Sequence, residues 1–123
     1  MFNIEIKKGD DWKWKENITI TGGQKSSTVT HSVKVFDKNV EPVKKTINRE
    51  MYDKFLDSFN SIDFHKVFIE NKDVDCLDGW TLACTISNGI VKINVEIWNP
   101  TKDNIREETQ KLINACDQVF ALF

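Results

Sequence analysis

A chain of 123 residues, 40% hydrophobic and 29% charged, with two prolines and five glycines, has the size and composition of one folded domain, 1–123. Such a domain hides roughly two-thirds of its unfolded surface and builds a core without staples, and the ordinary composition does not indicate disorder. A net charge of −2 argues against nucleic acid or a membrane as partner, no run reaches the roughly 18 apolar residues of a bilayer span, and the N-terminal MFNIEIKKGDD lacks a signal peptide's apolar core, so a cytoplasmic protein is expected.

Phe2, Ile4 and Ile6 alternate with Asn3, Glu5 and Lys7 and predict a first strand buried on one side. Gly9-Asp10-Asp11 turns the chain into a second strand. There Trp12, Trp14, Ile18 and Ile20 share one parity and Lys13, Lys15, Asn17, Thr19 and Thr21 the other, with a bulge expected near Glu16. The two strands are expected to form a hairpin. After the polar connection from Thr21 to Ser27, Val29, His31, Val33 and Val35 mark a third strand, and Asp37-Lys38-Asn39 a turn. A fourth strand from Val40 to Lys45 contains Pro42, which has no N–H for a ladder and confines the strand to an edge.

A helix is predicted from Asn48, a favourable N-cap, with Ile47 and Tyr52 placed as a hydrophobic staple. Met51, Tyr52, Phe55, Leu56, Phe59 and Ile62 form its apolar stripe. The stretch from Asp63 to Asp78 is long for a connection, contains Phe64, Val67, Phe68 and Ile69, and turns acidic through Glu70, Asp73, Asp75 and Asp78. It has two readings. Either HKVFI adds a short edge strand and the carboxylates keep the loop soluble, or the segment contacts a partner protein.

Asn88-Gly89 predicts a two-residue type I′ turn pairing Ser87 with Ile90. Counting outward sets Ile86 opposite Val91, Cys84 opposite Ile93, Leu82 opposite Val95 and Trp80 opposite Ile97, an entirely apolar face. Trp98 falls off that face, where it either anchors a partner or packs beside Pro100. Asn104 and Glu107 resemble a capping box for a last helix, whose Ile105, Leu112, Ile113, Cys116, Val119, Phe120 and Phe123 share one arc. The expected architecture is α+β and two-layer, an antiparallel sheet with two helices packed on one face. The other face, with Lys13, Lys15, Thr19, Ser32, Lys34, Thr85, Lys92 and Glu96, is expected to meet water.

Candidate chemistry is sparse. Cys76, Cys84 and Cys116 have no C-x-x-C spacing, so neither a disulfide framework nor a zinc site is expected. Cys84 and Cys116 fall on core parities, while acidic neighbours disfavour a thiolate at Cys76. His31 shares the parity of Val29 and Val33 and reads as a core or rim histidine rather than a general base, and His65 has no companion nucleophile. Gly22-Gly23 lacks the context of a phosphate loop. The carboxylates of Asp73, Asp75 and Asp78 lack EF-hand spacing, so no metal is expected. Trp12-Lys13-Trp14-Lys15 alternates, which sends the tryptophans inward and the lysines to solvent instead of building a stacking platform. No catalytic residue and no cofactor are assigned.

The stretch Leu77-Asp78-Gly79-Trp80 through Ile97-Trp98-Asn99-Pro100, with the helix after it, resembles small bacterial proteins, some of them similar to immunity proteins of toxin systems. The resemblance covers the last third of the chain and implies a small, noncatalytic, cytoplasmic protein that binds another protein. The expected role is therefore noncatalytic protein binding, immunity-like toxin neutralisation being the form the resemblance implies, with Glu70, Asp73, Asp75, Asp78 and Trp98 as contact residues. The alternative is a small-molecule-binding or enzymatic domain with a pocket between sheet and helices, where His31, Tyr52 and Cys76 are the first residues to inspect.

Overall fold

Alternation becomes strand wherever the sequence carries it. The computed structural model describes residues 3–10, 13–23, 25–72, 80–98 and 106–123. Phe2, Trp12, the stretch with Asp73, Asp75, Cys76 and Asp78, Pro100, and the expected cap at Asn104 with Ile105 lie outside the described residues. Strands β1 (Asn3–Gly9), β2 (Trp14–Thr21), β3 (Ser26–Val35) and β4 (Lys38–Asn48) form a meander. Helices α1 (Arg49–Asn60) and α2 (Phe64–Asn71) follow, then β5 (Thr81–Ser87), β6 (Lys92–Trp98) and helix α3 (Glu107–Phe120). The β5–β6 hairpin joins the free side of β1, giving one six-stranded sheet of order β4-β3-β2-β1-β5-β6 with every neighbouring pair antiparallel. The class is α+β, with three helices among the described residues where two were expected.

The register aligns the apolar parities. Ile4 lies between Ile20 and Ile86, and Ile6 between Ile18 and Cys84. These rows join Val29, Ile47, Leu82, Val95 and Ile97, with Tyr52, Phe55 and Phe59 of α1, Val67 of α2 and Leu112, Cys116 and Val119 of α3, in one buried cluster. We call this the apolar face of the sheet and the other the polar face. Trp14 and Trp80 are half-buried beside the cluster's end, ring centroids 6.0 Å apart. Gly9 closes the β1–β2 connection at φ +155°, and a Cβ there would run into the Trp14 carbonyl oxygen.

α1 begins as its sequence predicts. Asn48 accepts a hydrogen bond from the Met51 N–H at 2.9 Å, and the staple residues Ile47 and Tyr52 are both buried. Met51 itself is exposed. Edge placement of β4 also holds, and its bulge lies at the proline: His31 pairs with Val43 but Val33 with Val40, so Glu41-Pro42 together face Ser32. The bulge expected near Glu16 is absent, since β1 and β2 pair without a break through Lys8↔Glu16.

Two further expectations are corrected. HKVFI is helix, not edge strand, because Asp63 caps it: its carboxylate accepts from the Lys66 N–H at 3.1 Å and its carbonyl from the Val67 N–H at 3.1 Å. Val67 is then buried while Phe68 and Ile69 face outward. The β5–β6 loop spans four residues, Asn88 to Val91, because the Asn88 Oδ1 accepts from the N–H groups of both Ile90 (3.0 Å) and Val91 (2.8 Å). Ser87 therefore pairs with Lys92, Ile86 with Ile93, Cys84 with Val95 and Leu82 with Ile97. A two-residue shift conserves facing, so Leu82, Cys84, Ile86, Val95 and Ile97 stay buried, while Val91 and Ile93, expected inside, are exposed.

α3 starts at Glu107 with Arg106 as N-cap and no side-chain cap bond, its first-turn Glu107 and Glu108 suiting the positive end of the helix dipole. Cys84 and Cys116 are free and buried, and contact with Cys84, followed by burial, pushes the Cys116 thiol well above its usual range. No helix among the described residues is long and apolar enough to cross a membrane.

Candidate functional site

The sequence-predicted contact residues do not come together. Glu70 lies on α2, and its Oε1 accepts from the N–H (3.0 Å) and hydroxyl (2.7 Å) of Thr109 on α3. Asn71 donates to the Thr109 hydroxyl oxygen at 2.9 Å. Glu108 adds a second tie between the helices, accepting from the Asp63 N–H at 3.1 Å and from Lys111 at 2.8 Å. Burial acts to raise the Glu70 carboxyl, but the Thr109 donors, the Glu108 N–H and the Lys66 charge outweigh it and hold the carboxyl below its ordinary range. Lys111, then the Asp63 N–H, lowers Glu108 likewise, and Glu108 in turn raises Lys111. These carboxylates latch two helices. Trp98 is half-buried at the end of β6, on the polar face opposite Thr81.

Of the residues named for the alternative reading, Tyr52 is core, while His31 borders an open cleft of about 410 Å³. The His31 Nε2 lies 3.1 Å from the Glu16 Oε2, and its ring stacks on Phe123 (centroids 4.8 Å) and meets Phe120 edge-on (6.3 Å). Lys8 sits over the Phe120 ring at 3.9 Å, and Lys45 over the Phe123 ring at 4.9 Å while donating to the Leu122 carbonyl. Every charged group in this cleft therefore faces the His31 ring nitrogen, a carbonyl or an aromatic ring. Its sequence signal is legible afterwards: Lys8, Glu16 and His31 each interrupt an apolar parity at neighbouring places in the register.

The polar face is different. Lys7, Lys15, Lys34, Lys44 and Lys92 stand on it against Glu5 and Glu96, in a chain whose net charge is −2. Glu5 is paired with Lys7 at 3.4 Å. At the centre Lys15 and Lys34 are direct cross-strand partners, an arrangement that is unfavourable in a sheet, and neither side chain has a hydrogen bond or ion pair among the described residues. Two open clefts of about 410 Å³ each meet there. One is lined by Lys7, Asp10, Thr81 and Glu96, the other by Ser32, Lys34, Asn39 and Pro42, and Lys15 and Asn17 line both. We refer to these two adjoining clefts, which together run from β6 to β4, as the trough.

Sequence reasoning placed Lys15 and Lys34 in solvent but not opposite each other. Among the described residues no three His, Cys, Asp or Glu side chains are grouped to hold a metal ion. No known family model matches the chain, and no curated protein matches it.

Proposed function

We propose that residues 1–123 form a two-layer α+β domain that binds another protein without catalysis, the three helices among the described residues backing the apolar face and the polar face offered to the partner. The observation that carries this reading is the trough: open, as wide as the sheet, and lined by Lys7, Lys15, Asn17, Ser32 and Lys34, it matches an extended macromolecular surface better than an enclosed substrate pocket. Trp98 joins the same face from β6 as an aromatic contact. Toxin neutralisation, the role implied by the resemblance to immunity proteins, is one form of such binding.

The reading is tested by capturing the partner from native lysate with wild-type protein and with Thr19→Tyr/Thr30→Tyr, which adds bulk without charge at a cross-strand pair in the middle of the polar face. Loss of one defined partner with the variant, and its retention by Glu50→Lys on α1, is the expected result. A partner held equally by all three proteins contradicts it.

A further inference from the structure

We propose that the trough on the polar face takes an acidic, amphipathic protein segment, with Lys15 and Lys34 receiving its carboxylates; this rests on the protein-binding reading above. Opposed ammonium groups gain most from an anion that bridges them, because one carboxylate relieves the repulsion and pairs with both charges. Strands lie about 4.8 Å apart, so the two lysines are within reach of one side chain. Nothing in the described fold supplies that anion. Glu5 is already paired with Lys7, Asp10, Glu16 and Glu96 line the neighbouring cleft with Lys15 but without Lys34, and among the described residues none of them forms an ion pair with either lysine.

A protein segment fits better than nucleic acid for two reasons. Pro42 lines the cleft beside Lys34, a place for an apolar side chain next to a carboxylate. Bases need aromatic platforms to stack on, and among the described residues Trp98, half-buried at the end of β6, is the one aromatic side chain on the strand positions of this face. The occupant's chemistry is therefore carboxylates interspersed with aliphatic side chains.

The test uses the full chain and a fluorescein-labelled peptide of alternating Glu and Leu, with its Gln/Leu counterpart and an oligothymidylate of matched charge, read by fluorescence anisotropy at low and high ionic strength. The Glu/Leu peptide is expected to bind more tightly than either control and to weaken with salt. Lys15→Glu/Lys34→Glu should weaken it by about tenfold or more. Lys15→Gln/Lys34→Gln, which places no carboxylate in the trough, should lower affinity less, and Lys54→Glu on α1 should leave it unchanged. Circular dichroism checks that each variant is folded. Equal binding of the Gln/Leu peptide, or insensitivity to both lysine pairs, overturns the acidic-partner inference. If a partner protein is meanwhile captured and lost with Thr19→Tyr/Thr30→Tyr, the general reading survives that failure. Tighter binding of oligothymidylate than of the Glu/Leu peptide overturns both.

Discussion

Lys15 and Glu16 are consecutive on β2 and point to opposite faces of one sheet, yet their surroundings are resolved in opposite ways. Glu16 meets His31 at 3.1 Å, and the nearby ammonium groups of Lys8 and Lys45 lie on the Phe120 and Phe123 rings. Lys15 meets Lys34. The first arrangement is electrostatically complete and ties the end of α3 to the sheet; the second places like charges opposite each other with no compensation among the described residues. Conflicts of the second kind concentrate where a surface is shaped for something other than its own fold. The difference separates a polar site satisfied within the fold from one that is not, although both line clefts of about 410 Å³.

The contrast can be broken most severely from the apolar side. Leu82 pairs with Lys8 across the sheet and is buried, so Leu82→Ala should cost about 2–5 kcal/mol through lost transfer energy and a residual cavity. A denaturant midpoint that moves by less than about 1 kcal/mol in stability would place that residue outside the core. Next comes the latch between α2 and α3. Thr109→Val removes a hydroxyl that donates to Glu70 and accepts from Asn71, with an expected loss of about 1–3 kcal/mol in the same measurement.

That latch also predicts a direction with pH. Glu70 and Glu108 are both lowered in the folded state from the ordinary 4.5, so the folded protein holds their protons less tightly than the unfolded chain. Their contribution is complete above the ordinary value and disappears as pH falls through the lowered one. Wild-type thermal stability should therefore drop on acidification below about 4.5, and Glu108→Gln should flatten the drop. An unchanged profile would contradict the latch. A smaller effect belongs to the His31 cleft: Glu16→Ala should lose about 0.5–1.5 kcal/mol by thermal melting at neutral pH. A gain there would remove the contrast with the other face.

How much of this was legible in the sequence depends on the kind of signal. Parity placed Ile4, Ile6, Ile18, Ile20 and Val29 in the core, and Asn48 marked the start of α1, because facing and capping are local properties. Register is not local. The β5–β6 loop was misjudged by two residues because the Asn88 side chain recruits two further N–H groups, and only the period of two kept the apolar face intact. α2 was hidden because HKVFI is short and apolar, whereas the capping role of Asp63 shows only in the fold. The candidate site suffered most: Lys15 and Lys34 looked like separate solvent lysines, and their opposition arises from a β2–β3 register that the polar connection after Thr21 does not dictate.

The central claim, that Lys15 and Lys34 repel each other in the unbound protein, is tested most directly by a double-mutant cycle on stability at low ionic strength. Lys15→Gln and Lys34→Gln should each raise stability, by about 0.2–1 kcal/mol, and the double variant should gain clearly less than the sum of the two, with the coupling shrinking in high salt. Single substitutions that lower stability, or gains that simply add, would mean that the two charges do not interact and that the polar face carries no such conflict.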